Sequence, residues 1–295
     1  MLSLTGAMTA LVTPFGDDGM IDEAALRALV EFQIEGRIDG LVACGTTGES
    51  ATLSKEEKLA VMRIVVEQAA GRVPVVVGTG SNDTRASVEM TRAALALGAD
   101  ACLAVVPYYN KPNQEGLFLH FEAIASVGMP VVLYNVPGRT VISLSAETVG
   151  RLAEIDNIVS IKEASGDMRL GTEIMARAGN RLTYLSGDDF STFPFCAMGG
   201  HGCISVVSNV APGLMSDLVA TARASDLNLG RLMHLKANRL GAACFSDANP
   251  VPTKVLLSLM GVCGARVRLP HAPASAALVD RLTAVAVAEG LVPSN

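Results

Sequence analysis

Asn157-Ile158-Val159-Ser160-Ile161-Lys162-Glu163-Ala164-Ser165-Gly166 is an apolar, β-branched run that stops abruptly at a lysine. A strand covered on both faces reads as continuous Val and Ile, the pattern of a parallel sheet buried under helices. A lysine at the end of such a strand points into a largely dry interior, where lysines are rare unless paired or functional. Burial disfavours the ammonium and frees the neutral amine. Such an amine forms a Schiff base with a carbonyl substrate. The plainer alternative is a strand-end lysine that snorkels to solvent or pairs with Glu163.

The same alternation repeats on either side of this run. Strand patterns at 7–14, 40–44, 73–77, 101–106, 131–135, 157–162, 182–186 and 202–206 alternate with helical patterns at 22–35, 55–70, 84–97, 114–126, 145–154, 167–178 and 189–198. Ser54 with Glu57 three residues later predicts a capping box at the second helix. About eight strand–helix units at even spacing predict an α/β fold, a (β/α)8 TIM barrel. A doubly wound sheet fits less well, because Gly78-Thr79-Gly80-Ser81-Asn82-Asp83 lacks the third glycine of a dinucleotide fingerprint. After Asn209 the strand signal ends. Helical patterns at 212–224, 227–244, 251–260 and 274–289 follow. The expected organisation is a catalytic barrel over 1–208 and a small C-terminal helical extension over 209–295.

The 295 residues are half hydrophobic, with mean hydropathy +0.39, as a large buried sheet requires. No run of about 20 residues is free of charges or turn formers, so no membrane span is expected. The N-terminus has no basic segment before its apolar residues and does not read as a secretory signal. A net charge of −6 argues against nucleic-acid and anionic-membrane partners. The six cysteines form no C-x-x-C pair and read as buried thiols in a reducing cytoplasm. The four histidines are scattered, so no metal site is expected.

In a barrel, chemistry collects where strands end and βα loops begin. Those points carry Gly45-Thr46-Thr47-Gly48-Glu49, Tyr108-Tyr109, Tyr134-Asn135-Val136-Pro137-Gly138-Arg139-Thr140, Lys162-Glu163, Gly187-Asp188-Asp189 and Cys203-Ile204-Ser205. The Gly-flanked threonine loop either cradles a carboxylate with free amides or is an ordinary turn. Tyr134 either relays protons or is a satisfied core tyrosine. Arg139, after a Pro-Gly turn, either grips a carboxylate in a bidentate way or is a solvated loop residue. The Tyr108-Tyr109 pair suits an interface as well as a site.

With these motifs the chain resembles the dihydrodipicolinate synthases, within the pyruvate-dependent Schiff-base aldolases and lyases that include N-acetylneuraminate lyase. The likeness runs from Thr13-Pro14-Phe15 through Gly45–Leu53 to Asn249-Pro250-Val251-Pro252-Thr253-Lys254 and Leu269-Pro270. It implies that Lys162 forms an imine with pyruvate, whose enamine attacks L-aspartate 4-semialdehyde to give 4-hydroxy-tetrahydrodipicolinate. It implies a proton relay of Thr46, Tyr134 and Tyr109, with Tyr109 supplied by a neighbouring subunit across the tight interface of a homotetramer. It implies pyruvate binding by the Thr46 and Thr47 amides and the Ile204 backbone, with Gly187 at the same site. Arg139 would bind the semialdehyde carboxylate. No metal or organic cofactor is implied.

The chain also departs from the family pattern. Lys55 and Lys58 stand where two histidines often bind feedback lysine, and Ala86 where a glutamate is common, which disfavours a cationic effector. Asp247 and Ala248 replace a usual glutamate and proline, which bears on packing and assembly. The alternatives are a related 2-keto acid aldolase or dehydratase using the same lysine, and a catalytically silent relative. Arg139 with the tyrosine pair speaks against the first, and the presence of Lys162 and Tyr134 against the second.

Overall fold

The apolar runs pair strictly in chain order. In the computed structural model, which describes residue 2 and residues 4–293, the strands are β1 (Gly6–Ala10), β2 (Gly40–Ala43), β3 (Val75–Gly78), β4 (Ala101–Val105), β5 (Val131–Asn135), β6 (Ile158–Glu163), β7 (Thr183–Ser186) and β8 (Gly202–Ser205). All neighbours are parallel, and β1 pairs with β8 to close a barrel. The expected (β/α)8 architecture is therefore present. Residues 1, 3, 294 and 295, which the sequence reading assigns to the barrel and its extension, lie outside the described residues.

The helices are α1 (Glu23–Glu35), α2 (Lys55–Ala69), α3 (Thr84–Ala96), α4 (Gln114–Ala125), α5 (Pro137–Thr140), α6 (Ala146–Leu152), α7 (Met168–Ala178), α8 (Thr192–Ala197), α9 (Pro212–Arg223), α10 (Leu227–Cys244), α11 (Val251–Leu259) and α12 (Ala276–Ala288). The capping box at α2 forms as its sequence dictates. Ser54 Oγ accepts from the Glu57 amide at 3.1 Å, and Glu57 Oε2 accepts from the Ser54 amide at 2.8 Å. Such a cap contributes about 1 kcal/mol.

Two apolar layers form, because successive strand residues face opposite sides of the sheet. One fills the barrel, with Met8, Val42, Val76, Leu103, Val132, Leu185 and Ile204. The larger one lies between the strands and the surrounding helices. The barrel is plugged by side chains, so polar groups gather above the plug, at the C-terminal strand ends.

Two sequence expectations shift. The helix expected over 189–198 is confined to α8. Asp189 does not cap it, since Asp189 Oδ2 instead accepts from the amides of Val206 and Val207 at 2.9 and 3.1 Å. The expected Pro137-Gly138 turn is a full helical turn, α5, in which Thr140 Oγ1 donates to the Val136 carbonyl. After β8, α9 packs on β1, β8 and α8 and completes the helical ring, although it falls beyond residue 208.

Candidate active site

Lys162 occupies β6 directly beside Tyr134 of β5 and Leu185 of β7. Its residue is 6% exposed, and its Nζ lies 4.3 Å from the centroid of the Tyr134 ring. The pairing with Glu163 does not form, because the next residue on a strand faces the other side of the sheet. Glu163 accepts from Asn135 Nδ2 at 2.8 Å and from the Ser165 amide at 2.7 Å. Burial pushes its carboxyl above the usual carboxylate range. Lys162 neither snorkels nor pairs: its amine has a π face beneath it and the cavity above.

That amine has room because position 187 carries no side chain. A Cβ there would stand 2.6 Å from Ala164 Cβ and 2.7 Å from Lys162 Cε. Gly187 thus acts on the geometry of Lys162 itself, a role the sequence reading did not assign to it.

The loop after β2 is built from strained backbone. Cys44 and Glu49 both take left-handed φ angles, 54° and 53°, a region costly for residues with a Cβ. Between them the Glu49 amide donates to the Thr46 carbonyl at 3.0 Å, and the Ser50 amide to the Gly45 carbonyl at 3.3 Å. Thr13 Oγ1 donates to the Gly48 carbonyl at 2.7 Å. The backbone N–H groups of Thr46 and Thr47 have no acceptor among the described residues. Two adjacent amides left free at a strand end form an anion cradle.

The far end of this loop is held by the C-terminal helices. Lys254 Nζ meets Glu49 Oε1 at 2.5 Å, with both side chains wholly buried. Glu49 Oε2 accepts from the Arg268 amide at 2.9 Å, and Lys254 Nζ also donates to the Arg266 carbonyl at 2.7 Å. The Phe15 ring lies against both cations, 4.1 Å from Lys254 Nζ and 4.3 Å from Arg268 Cζ. Nearer the cavity, Asn249 Nδ2 donates to Thr47 Oγ1 at 3.0 Å. The sequence reading missed Asn249, Glu49 and Lys254 as parts of the site. The signal was available for Lys254, a lysine embedded in the apolar stretch of α11, as Lys162 is in β6.

These elements enclose a cavity of about 340 Å³ lined by Gly45, Thr46, Thr47, Tyr134, Arg139, Lys162, Gly187, Asp188 and Asn249, among others. Six of the eight predicted site residues meet there. Arg139 sits on α5, exposed, and no Asp or Glu pairs with its guanidinium among the described residues. Ile204 lies lower in the barrel, on β8, and does not line the cavity. Tyr109 is 89% exposed at φ 74° and does not line the cavity that holds Lys162. No hydrogen bond joins Thr46 to Tyr134 among the described residues, so the expected relay is not pre-assembled within one chain.

A second cavity of about 390 Å³ adjoins the first and shares Gly45, Thr46, Tyr134 and Arg139 with it. Its outer wall carries Lys58, Ala86, Tyr108 and His271. The six cysteines are all buried and unpaired, with burial pushing Cys44 and Cys244 up to about 12. No helix of the described residues is long and apolar enough to cross a membrane.

The chain is similar to known proteins over nearly its whole length. The sequence profile of the dihydrodipicolinate synthetase family matches residues 3–288. A 4-hydroxy-tetrahydrodipicolinate synthase of Trichlorobacter lovleyi is 52% identical, over 95% of this chain and 97% of its own length. One from Geotalea uraniireducens is 51% identical, over 97% and 99%. Among solved structures, the chloride-inhibited dihydrodipicolinate synthase of Acinetobacter baumannii, complexed with pyruvate, superposes with TM-score 0.96 at 42% identity, covering 98% of this chain and all of that one. A lysine on the sixth strand, a tyrosine beside it and a threonine cradle facing both thus sit in a chain alike over nearly its whole length, and the chain belongs to the dihydrodipicolinate synthetase family.

Proposed function

We propose that this protein is a 4-hydroxy-tetrahydrodipicolinate synthase, which condenses pyruvate with L-aspartate 4-semialdehyde through an imine on Lys162. The observation that carries the reading is a buried lysine amine facing a cavity whose rim holds free amides and an unpaired arginine. The names of the relatives, and the pyruvate in one of them, support the same substrate.

Lys162 Nζ attacks the C2 carbonyl of pyruvate, and loss of water leaves the imine. The iminium withdraws electrons from C3, a proton leaves C3, and an enamine results. The enamine carbon attacks the aldehyde carbon of the semialdehyde. The substrate amine then attacks C2, and Lys162 departs as the ring closes. The imine is itself the electron sink, so the steps balance without an oxidant or reductant.

The Thr46 and Thr47 amides cradle the pyruvate carboxylate, with the Ile204 backbone beneath it. Tyr134 and Thr46 move protons to and from the carbonyl oxygen. Catalytic hydrogen bonds often tighten only in the complex, so their separation in the free chain suits this role. Arg139 receives the semialdehyde carboxylate. Tyr109 completes the relay in a neighbouring copy of the chain, within a homotetramer of paired dimers. Its exposure and left-handed backbone support a covered position in the assembly. The reaction would take place in the cytoplasm.

The test is trapping with borohydride. Pyruvate plus borohydride should add one reduced pyruvate to the wild-type chain and none to Lys162→Ala. A wild-type chain that gains no mass sinks the imine mechanism, and a Lys162→Ala chain that gains it sinks the assignment of the lysine. A coupled assay with both substrates then reads the condensation directly.

A further inference from the structure

We infer that Asn249, two residues before α11 of the helical extension, is a positioning residue that fixes the Thr47 hydroxyl as a hydrogen-bond donor to the bound carboxylate. The inference rests on the proposed function, in which Thr47 helps to hold pyruvate.

A threonine hydroxyl has one proton to give and two lone pairs to receive. Asn249 Nδ2 donates to Thr47 Oγ1 at 3.0 Å, so one lone pair is occupied and the hydroxyl proton is directed elsewhere. Among the described residues that proton has no acceptor. Thr47 and Asn249 both line the cavity and are almost fully buried, at 3% and 6% exposure. The proton is therefore offered to whatever occupies the cavity, next to the free Thr46 and Thr47 amides.

The cost of the arrangement points the same way. Asn249 Oδ1 is buried and has no partner among the described residues. A buried amide that leaves its oxygen unsatisfied is a poor device for stability. An apolar residue of similar size would serve a purely structural role better. The amide makes a single side-chain hydrogen bond among the described residues, and that bond goes to a hydroxyl in the cavity wall.

The rest of the extension keeps the two partners in register. Lys254, five residues on, is clamped to Glu49 at 2.5 Å, two residues beyond Thr47. The loop and α11 are thus joined at both ends of the same short span.

The experiment compares Asn249→Ala, Thr47→Val and the double variant in steady-state kinetics and thermal melting. Each single change should raise the pyruvate KM about tenfold, with kcat much less affected. The double variant should resemble Thr47→Val alone, because Asn249 has nothing left to orient. Asn249→Asp should raise the pyruvate KM further than Asn249→Ala, since a carboxylate draws the hydroxyl proton to itself and faces the substrate with like charge. Should Asn249→Ala not fold, Asn249→Leu, near in size and without the amide donor, carries the same cycle. If the two KM effects multiply to about a hundredfold, Asn249 does not act through Thr47 and the inference falls alone. If Thr47→Val leaves the pyruvate KM unchanged, the role of Thr47 under the proposed function falls, and the inference with it.

Discussion

Gly187 and Lys162 share one small volume: a Cβ on Gly187 would lie 2.7 Å from Lys162 Cε and 2.9 Å from Cγ. The reach of the amine is set by a missing side chain on the neighbouring strand's loop. Gly187→Ala should therefore displace the lysine stem rather than unfold the barrel. A misplacement of this kind costs on the order of 100-fold in rate. The expected result is borohydride trapping slowed about that much, with a melting temperature within a few degrees of wild type. Trapping at the wild-type rate would show that Lys162 has other room to move.

Arg139 stands at the rim with no acidic partner among the described residues, and it should discriminate between the two substrates. Arg139→Ala should raise the semialdehyde KM by about 10- to 100-fold, the range of a charge-assisted hydrogen bond of about 1.5–3 kcal/mol. It should leave imine formation with pyruvate intact, as read by borohydride. Loss of both at once would place Arg139 at the pyruvate end. Arg139→Lys should recover only part of the loss, because an ammonium lacks the planar fork.

The Glu49–Lys254 pair is fully buried, and removing one partner strands the other. Lys254→Met and Glu49→Gln should each lower stability by about 3–5 kcal/mol in denaturant titration. Converting both to apolar residues should return much of that stability. It should not restore the wild-type pyruvate KM, since the carboxylate that holds the end of the threonine loop is gone. A double variant with wild-type KM would make the pair purely structural.

His120 gives a pH signature. Its Nδ1 is hydrogen-bonded to Thr84 Oγ1 at 2.9 Å, its Nε2 is buried without a partner, and burial pushes its pKa from 6.5 down to about 4. Above pH 6.5 the ring is neutral in the folded and unfolded chain alike. Between pH 6.5 and 4 the unfolded chain binds the proton and the folded chain does not, so stability falls with acidity by up to about 1.4 kcal/mol per pH unit. His120→Gln should flatten that part of the stability profile relative to wild type. Equal slopes for the two proteins would contradict the burial.

The second cavity carries Lys58 on its wall and alanine, not a carboxylate, at position 86. A cationic amino acid there meets the like charge of Lys58, and the lining carboxylate, Glu49, is already paired with Lys254. Free lysine should inhibit weakly or not at all. Strong inhibition at sub-millimolar lysine in the coupled assay would overturn this, and Ala86→Glu with Lys58→His should increase sensitivity if the cavity is where lysine acts.

The barrel was legible because each of its strands is a self-contained signal: Val131–Asn135 and Gly202–Ser205 announce themselves by local composition alone. Lys162 was legible for the same reason, as a charge where the local pattern demands none. What the sequence hides is partnership at long range. Asp189 opens the helix expected over 189–198, and only the fold reveals that its Oδ2 accepts from Val206 and Val207 across the loop after β8. Asn249 looks like an ordinary residue before a proline, until the extension brings it to a loop 202 positions earlier in the chain. Gly187 is expected at the pyruvate site, but its use there is space for the Lys162 stem, which only the fold reveals.

The ties between the threonine loop and the chain's last quarter set an order of events during synthesis. Asn249 and Lys254 reach back 202 and 205 residues, and the Arg268 amide 219. A nascent chain folds from its N-terminal end while the remainder is still being made. All eight strands, Lys162 among them, thus leave the ribosome well before the segment that finishes the cradle. The amine exists early, but the pocket that gives it a substrate is assembled only once Asn249, Lys254 and Arg268 have been made.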